Sequence, residues 1–292
     1  MKYNTEWKDY TVIATGDGMK LERWANNIVL LRPDPQIIWK TDIDMYNFPE
    51  LSAYYERSSS GGGRWHYTSK SIDEFVVGWR SLRFKLKLMG FKHTGLFPEQ
   101  AINWAMMTDL IKKADRPIKV LNLFAYTGGA TVACISAGAG VTHVDSAKAM
   151  IDRAKENLAL SRLNNTKARF ILDDCKKFVQ KEIRRGNTYD AVIMDPPSFG
   201  RGPNGEKWKI EDEIYSLTEL CRNVLSDNPL FFLINSYTTG LQPQVLNNIL
   251  TKLLNNYKGY TYSYEVGLPT LEKGIILPAG ASGLWSKEKI DE

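Results

Sequence analysis

Acidic residues in this 292-residue chain recur where short apolar segments end. Asp145, the pair Asp173 and Asp174, and Asp195 each follow such a segment directly. A carboxylate accepts hydrogen bonds from hydroxyl and amino groups, and it can take up a proton during a reaction. In open α/β sheets, ligands bind outside the carboxyl ends of the strands. If the apolar segments are strands of one sheet, the pattern predicts a ligand site lined by carboxylates.

The stretch after the last of these segments carries the most specific chemistry. Asp195 is followed by Pro196, Pro197, Ser198 and Phe199. Because proline cannot donate a ladder hydrogen bond, the two prolines end the strand and stiffen the turn that follows. The turn presents a carboxylate and an aromatic face that could stack on a planar substrate. The same short sequence also suits an ordinary surface turn, so its context decides between the two.

The hydrophobic pattern predicts the elements that position these acids. An apolar run at residues 119–123 leads into a turn of small residues and a helical segment at residues 131–137. Asp145 ends a second apolar run about 20 residues later, where βαβ nucleotide sites bind a ribose diol. Further helices are predicted at residues 150–163 and 176–183, and further strands at residues 168–172, 191–194 and 230–234. This alternation is typical of an α/β fold.

The first loop discriminates between nucleotide cofactors. A dinucleotide site requires G-x-G-x-x-G, whereas this loop offers only Gly128 and Gly129. The chain contains no G-x-x-x-x-G-K-[ST] phosphate-binding loop either. S-adenosylmethionine carries no phosphate and has a cationic sulfonium. Carboxylates with few phosphate-binding glycines therefore favour S-adenosylmethionine over NAD or ATP.

Taken together, these segments resemble a known family. Residues 124–129, the acid at Asp145, the acids at 173–174 and the turn at 195–199 resemble motifs I to IV of the class I S-adenosylmethionine-dependent methyltransferases, in the branch that contains bacterial large-subunit ribosomal RNA methyltransferases. Residues 92–100 resemble the segment that lies over the cofactor in this branch. The resemblance implies a Rossmann-like, seven-stranded α/β methyltransferase domain at residues 85–292, closed by an antiparallel hairpin. Residues 1–84 would form a small β-rich N-terminal domain, which could bind substrate.

The resemblance also implies a role for each matching residue. Asp145 would bind the ribose hydroxyls and Asp174 the adenine amino group, with Asp173 as the alternative. Asp173 is equally a candidate N-cap of the following helix. The other implied cofactor-binding residues are Phe97, Gln100, Phe124, Ala125, Tyr126, Thr127, Gly128, Ser146, Cys175 and Asp195. The implied catalytic residues, which would hold the methyl acceptor, are Asp195, Pro196, Pro197 and Phe199.

The positions of cysteine restrict the route of transfer. Methylation of cytosine carbon 5 requires a cysteine nucleophile, supplied in relatives after motif IV or after the next strand, where this chain has Ser198 and Ser236. Cys134, Cys175 and Cys221 are predicted to be small buried residues instead. We therefore expect direct displacement by an acceptor with its own lone pair, such as a purine ring nitrogen, an exocyclic amine or an amide.

The N-terminal region has a different pattern. A β-hairpin is predicted around residues 16–18, with further strands at residues 28–32, 37–40 and 82–88, and a flexible loop at 58–63. Five of the eight tryptophans fall in this region, several of them beside arginine. They could stack on unpaired bases or fill a small β core, and the sequence leaves both interpretations open.

Composition bounds the remaining possibilities. With 43% hydrophobic and 24% charged residues, the chain is expected to be globular, with one or two domains. The sequence contains no apolar run of about 18 residues and no signal-peptide pattern, so we expect a cytoplasmic protein without a membrane partner. Three scattered cysteines and three histidines predict neither disulfide nor metal site. Oligomeric state is not predicted.

The charge pattern permits a nucleic-acid substrate. The net charge is +5, and basic residues cluster in the C-terminal domain at Lys167, Arg169, Lys176, Lys177, Lys181, Arg184 and Arg185. A solvated helix face is the ordinary explanation of such a cluster. We expect methyl transfer to a base of ribosomal or other structured RNA. The alternatives are methylation of a protein amide or small molecule, and a non-catalytic protein that binds S-adenosylmethionine or RNA.

Overall fold

The computed structural model describes residues 1–58, 62–68, 71–72, 74–163, 168–201 and 207–290. The chain divides into two compact units. The N-terminal unit comprises Lys2–Ile102 and Gly267–Pro278, and the C-terminal unit comprises Asn103–Val266 and Ala279–Glu292. The predicted loop at residues 58–63 lies partly outside the described residues, since 59–61 are not among them.

The strands of the N-terminal unit are β1 (Tyr10–Gly16), β2 (Met19–Trp24), β3 (Ile28–Pro33), β4 (Leu51–Arg57), β5 (Gly63–Tyr67), β6 (Glu74–Trp79) and β7 (Leu82–Lys87). The first five form one sheet in the order β1-β2-β3-β4-β5, in which only the β3–β4 pairing is parallel among the described strands. β6 and β7 form a separate antiparallel hairpin. The predicted hairpin around residues 16–18 and the strands after it at 28–32 and 82–88 are confirmed.

The strand predicted at residues 37–40 is wrong. Its carbonyl groups hold the β1–β2 turn instead of joining a ladder: Ile37 O accepts from Gly18 N–H and Trp39 O from Asp17 N–H, both at 2.8 Å. Asp17 and Gly18 have positive φ angles of 52° and 77°. The turn that these two residues make is therefore stabilised from outside the hairpin, and the segment that stabilises it is irregular.

The N-terminal unit extends beyond the predicted boundary at residue 84. Trp65 Nε1 donates to Met89 O at 2.8 Å, and Lys92 Nζ donates to Pro33 O at 2.7 Å. These bonds hold the segment after β7 against the unit, which is why the compact unit continues to Ile102. The alternation of apolar and basic residues in β7 does not indicate where the residues that follow it, 88–102, pack.

Residues 267–278 complete the N-terminal unit from the far end of the chain. The Glu272 carboxylate accepts from both the N–H and the hydroxyl of Thr15 at 2.7 Å. Leu271 N–H donates to Val12 O at 2.9 Å, beside an isolated parallel bridge between Val12 and Thr270. β1 therefore gains a partner from residues 257 positions away in sequence.

The tryptophans of the N-terminal unit serve its own packing. Trp24 and Trp79 are each 1% exposed. The indole N–H groups of Trp7, Trp39 and Trp65 donate to Pro98 O, Thr15 Oγ1 and Met89 O respectively. Of the two interpretations that the sequence leaves open, these contacts favour a small β core that needs large side chains.

The C-terminal unit contains α1 (Ala101–Lys113, which begins at the unit boundary), β8 (Lys119–Leu123), α2 (Gly129–Ser136), β9 (Gly140–Asp145), α3 (Lys148–Leu160), β10 (Ala168–Leu172), α4 (Cys175–Arg185), β11 (Ala191–Met194), β12 (Phe199–Arg201), β13 (Lys207–Lys209), α5 (Ile210–Arg222), β14 (Phe231–Ser236), α6 (Pro243–Leu253), β15 (Tyr260–Pro269) and β16 (Ile276–Ser286). Residues 267–269 of β15 and 276–278 of β16 belong to the N-terminal unit. Seven strands form one sheet in the order β10-β9-β8-β11-β14-β16-β15. The first five are parallel, and β16 is antiparallel to β14.

This order confirms the predicted Rossmann-like seven-stranded α/β domain. The strand order reverses between β8 and β11, because β9 and β10 lie on one side of β8 and β14 lies beyond β11. In open α/β sheets such a switch point is where ligands bind. The four residues of β11 are buried, as expected for a central parallel strand covered on both faces.

Candidate functional site

The predicted acids lie at one edge of the seven-stranded sheet. Leu123, the last residue of β8, pairs with Val144 on one side and with Met194 on the other. Leu172 pairs with Asp145. The parallel register therefore aligns the carboxyl ends of β10, β9, β8 and β11, and the residues that follow these strands succeed one another along a single edge.

The loop after β8 has a strained backbone. Phe124 and Tyr126 have positive φ angles of 54° and 50°, which are uncommon for residues other than glycine and cluster at functional sites. Ala125 N–H donates to Val144 O at 3.1 Å, which ties the loop to β9. Gly128 precedes α2 at φ 86°, and a Cβ there would lie 2.8 Å from the Ala154 Cβ. Gly128 thus allows the end of this loop to pack closely against α3.

Asp145 stabilises this loop. Its carboxylate accepts from Tyr126 N–H and from Ala147 N–H, each at 2.8 Å. Burial raises the pKa of Asp145, and the backbone hydrogen bonds, including one from the exposed Ser146, oppose that rise. A carboxylate offers about four lone-pair positions. Asp145 therefore holds the loop through three backbone hydrogen bonds and retains about one lone-pair position for a ligand hydroxyl.

The two acids after β10 have different partners. The N-cap of α4 is Asp174, whose Oδ1 accepts from Lys177 N–H at 2.8 Å, so the candidate N-cap Asp173 is wrong. Asp173 instead accepts from Lys181 Nζ at 2.5 Å and from Asp174 N–H at 3.0 Å. The N-cap lies one residue later than the candidate Asp173, because Asp174 has the extended backbone that an N-cap requires. Both acids retain lone pairs for an amino group.

The cysteines are buried, as predicted. Burial raises the pKa of all three thiols, which disfavours the thiolate that nucleophilic catalysis needs. Cys175 accepts a hydrogen bond at its Sγ from Phe124 N–H at 3.3 Å. The Cys175 thiol therefore helps to hold the loop after β8 in place.

The turn after β11 is held by three neighbouring segments. Asp195 N–H lies 3.5 Å from Leu123 O. Pro197 O accepts from the indole N–H of Trp208 at 2.6 Å, and Ser198 Oγ accepts from the Thr238 hydroxyl at 2.6 Å. Pro196 is buried, whereas Phe199 is 68% exposed at the start of β12. The turn is therefore rigid, and it ends in an accessible aromatic ring.

The hairpin formed by β12 and β13 was missed at the sequence level. Phe199 pairs with Lys209 across it, and Trp208 lies between two exposed lysines. The signal was present as an alternation of lysine and tryptophan at residues 207–209, after a segment rich in glycine. The strands are three residues each, too short for periodicity to predict.

Two of the predicted cofactor residues lie in the N-terminal unit. Gln100 is 6% exposed, and its N–H donates to Phe97 O at 3.1 Å in a 3-10 turn. Their predicted place over the cofactor stays a prediction. Thr127, by contrast, lies in the loop after β8 and is 2% exposed, and its carbonyl accepts from the buried Asn157 side chain at 2.8 Å.

Four of the seven clustered basic residues are paired with acids. The ion pairs join Lys176 to Glu213, Lys181 to Asp173, and both Arg169 and Arg185 to Glu182. Lys167 lies outside the described residues. Because the acids compensate much of this charge within the unit, the cluster matches a solvated helix face better than an electrostatic patch for nucleic acid.

The sequence analysis also did not identify a buried histidine in β9, the strand that ends at Asp145. His143, on β9, is fully buried, and its Nδ1 lies 2.9 Å from Thr131 Oγ1, which also accepts from Asn122 Nδ2 at 2.9 Å. Burial lowers the pKa of His143 to about 3.

This histidine predicts a pH dependence of stability. The pKa is about 3 in the folded protein and 6.5 in the unfolded chain, so the unfolded chain binds the extra proton between these values. The contribution of His143 to the free energy of unfolding is therefore complete above about pH 6.5 and decreases as the pH falls towards 3. Between pH 7 and pH 5 the wild type should lose about 2 kcal/mol that His143→Gln does not lose. Urea unfolding of both proteins at the two pH values measures this, and parallel pH dependences would contradict it.

In the ranges that the structure covers, no group of His, Cys, Asp and Glu side chains is arranged to hold a metal ion. Among those same residues, no helix is long and apolar enough to cross a membrane.

Solved structures support the fold assignment. A SAM-dependent methyltransferase from Agrobacterium tumefaciens is 31% identical to this chain with a TM-score of 0.91, and the match covers 98% of this chain and 93% of that one. The structure of SMU.776 complexed with SAH has a TM-score of 0.74 at 18% identity, and the match covers 96% of this chain and 76% of that one. The second likeness shows the fold alone.

Curated relatives match part of the chain. The ribosomal RNA large subunit methyltransferase K/L of Shewanella frigidimarina is 33% identical over 177 residues, which are 60% of this chain and 24% of that protein. The protein of the same name from Colwellia psychrerythraea is 26% identical over 192 residues, 65% of this chain and 26% of that protein. The matches thus span about a quarter of the length of these relatives.

The family model for S-adenosylmethionine-dependent methyltransferases matches residues 54–239, which are more than half of the 292 residues. That stretch contains the loop after β8, Asp145, both acids after β10 and the turn after β11. The chain therefore belongs to the S-adenosylmethionine-dependent methyltransferase family.

Proposed function

We propose that this enzyme transfers the methyl group of S-adenosylmethionine to a base of ribosomal or other structured RNA. The observation that carries the proposal is the turn after β11, where a carboxylate and two prolines precede a phenylalanine that is 68% exposed. Such a turn suits a planar acceptor. The names of the curated relatives, which are ribosomal RNA methyltransferases, favour RNA over a protein amide or a small molecule. A cytoplasmic location belongs to the same proposal.

The residues along the sheet edge fit S-adenosylmethionine in order. Neighbouring strands lie about 4.8 Å apart, so the acids after β10, Asp145 at the end of β9, the loop after β8 and Asp195 after β11 succeed one another along the edge. Asp173 or Asp174 would bind the adenine amino group, and Asp145 the ribose hydroxyls. The loop that contains Thr127 and Gly128 would hold the methionine portion. When bound, S-adenosylmethionine supplies the methyl group.

The acceptor would be held by the turn after β11. Phe199 would stack on the base, and the rigid Asp195 turn would fix its attacking atom in line with the methyl carbon. Orientation of this kind can supply several kcal/mol of a reaction barrier, on the order of 7 in favourable cases. Asp195 would also accept the proton that an exocyclic amine releases when it is methylated.

Methyl incorporation into RNA tests the proposal. Radiolabelled S-adenosylmethionine is incubated with the purified protein and either total RNA or total protein from a strain that lacks the gene. We expect label in RNA from the deletion strain and less label in RNA from the parent, whose target is already methylated. Mapping the methyl group that the deletion removes from ribosomal RNA then identifies the base. Label confined to protein, or no label at all, would overturn the proposal.

The route of transfer predicts an absence of covalent capture. Enzymes with a cysteine nucleophile are trapped on RNA that contains 5-fluorocytosine, because fluorine blocks the elimination that frees the adduct. This protein should form no such adduct, since Cys134, Cys175 and Cys221 are buried. Single replacements of Cys134 and Cys221 by alanine, and of Cys175 by serine, which keeps an acceptor for Phe124 N–H, should preserve transfer, with stability losses of about 1 kcal/mol each. Denaturing gel electrophoresis detects adducts, and a band lost in one variant would restore cytosine carbon 5 as the target.

A further inference from the structure

We infer that Trp208 is a positioning residue that couples the cofactor loop after β8 to the methyl-acceptor turn after β11. This inference rests on the proposed function for the roles of the two segments. Both segments and Trp208 belong to the C-terminal unit. Trp208 contacts each segment through a different part of its indole.

The indole N–H reaches the acceptor turn. It donates to Pro197 O at 2.6 Å, a short hydrogen bond to the second proline of the turn. The prolines fix their own φ angles but cannot donate hydrogen bonds, so the turn depends on outside groups for its position. Trp208 supplies one of these, and the Thr238 hydroxyl, which donates to Ser198 Oγ at 2.6 Å, supplies another.

The indole ring reaches the cofactor loop. Its centroid lies 5.1 Å from that of Phe124, with the planes tilted by 50°, a favourable aromatic geometry. Phe124 adopts a φ of 54°, and its N–H is bonded to Cys175 Sγ at 3.3 Å. The strained backbone and the buried thiol therefore fix Phe124, and Trp208 packs on a ring whose position the cofactor loop determines.

Trp208 is itself held in place by the elements on both sides. In the β12–β13 ladder it pairs with Gly200. The next helix starts two residues later at the fully buried Ile210, whose N–H donates to Ser198 O at 3.1 Å. A side chain anchored in this way fixes the acceptor turn relative to the cofactor loop, so the acceptor is held in line with the methyl group only while both contacts are made.

Two substitutions separate the contacts. Trp208→Phe keeps an aromatic ring against Phe124 and removes the hydrogen bond to Pro197, whereas Trp208→Ala removes both. Trp39→Phe is the matched control, because it removes an indole hydrogen bond to Thr15 Oγ1 in the N-terminal unit. For each variant we would measure single-turnover methylation of RNA at saturating S-adenosylmethionine, the affinity for S-adenosylhomocysteine, and the thermal midpoint.

Trp208→Phe should slow transfer about 3- to 10-fold and change the affinity for S-adenosylhomocysteine less than about 2-fold, since it removes one hydrogen bond at the acceptor. Trp208→Ala should slow transfer further and also weaken that affinity about 5-fold or more. Trp39→Phe should change neither. If Trp208→Phe transfers methyl as fast as Trp39→Phe, or if both variants at residue 208 change transfer and affinity by the same factor, the coupling is refuted.

A fluorescence measurement tests the coupling without RNA. The difference between the emission of wild type and Trp208→Phe isolates residue 208 from the other seven tryptophans of the eight. That difference should change when S-adenosylhomocysteine binds, because the ring contacts Phe124 in the cofactor loop. An unchanged difference at saturation would refute the contact. A wild type that methylates no RNA but shows the fluorescence change would overturn the proposed function and leave the contact standing.

Discussion

Replacement of Asp195 by alanine should slow methyl transfer by about 100-fold or more and weaken the binding of S-adenosylhomocysteine by less than about 3-fold. The carboxylate follows β11 on a turn that three other segments hold in place. A group that orients the acceptor contributes mainly in the transition state, so its loss lowers the rate of transfer more than the affinity for cofactor. Single-turnover methylation at saturating cofactor and RNA measures the first quantity, and calorimetry measures the second.

Asp195→Asn is the matched control for this prediction. The amide has the shape of the carboxylate and an oxygen that accepts a hydrogen bond, but it cannot take up a proton at neutral pH. If Asp195 acts by orientation alone, the asparagine variant should retain most of the activity. If it accepts a proton, both variants should lose activity alike. If the alanine variant transfers the methyl group as fast as the wild type in a single turnover, the Asp195 turn has a structural role only.

Replacement of Asp145 by alanine should weaken the binding of both S-adenosylmethionine and S-adenosylhomocysteine by about 1.5 to 3 kcal/mol, or roughly 10- to 150-fold. Two effects combine in this loss. The carboxylate would accept from the ribose hydroxyls, and it also accepts from Tyr126 N–H and Ala147 N–H at 2.8 Å. The alanine variant therefore loses a ligand contact and a support of the cofactor loop. Isothermal titration calorimetry with S-adenosylhomocysteine measures the change.

Two further variants make this measurement specific. Asp145→Asn retains one acceptor oxygen, so its loss of affinity should be smaller than that of the alanine variant. Asp152→Ala removes an exposed acid of α3 that pairs with Lys148, and it should leave the affinity unchanged. If Asp145→Ala binds the cofactor as tightly as Asp152→Ala, Asp145 does not belong to the site.

The elements that carry the site could be predicted because their signals are local. β10 occupies the predicted residues 168–172, and the predicted strand after Tyr189 is β11. Each is a short, mostly apolar run followed by an acid. β11 is a central parallel strand and is apolar on both faces, whereas β10 lies at the edge of the sheet. The acids are found at one edge because the parallel register aligns the strand ends.

The contacts that fix the site could not be predicted, because they join residues that are distant in sequence. The Asn157 side chain supports Thr127 from 30 positions away. His143 is a single polar residue within a predicted strand, and its partners Asn122 and Thr131 lie elsewhere in the sequence. The N-cap of α4 was misplaced by one residue, since two adjacent acids precede the helix and only backbone geometry separates them. Residues 37–40 have the composition of a strand, but hydrogen bonds to the β1–β2 turn determine their structure.

The discontinuity of the N-terminal unit has a consequence for biosynthesis. Glu272 and Thr15, which it binds, are 257 positions apart, and ribosomes add about 5 to 20 residues per second. On the order of ten seconds to a minute therefore passes between the synthesis of β1 and that of its last partner. Contacts at such separations also slow folding, because a long loop must close before they form. The sheet that contains β1 is thus among the first parts of this chain to be synthesised and among the last to be completed.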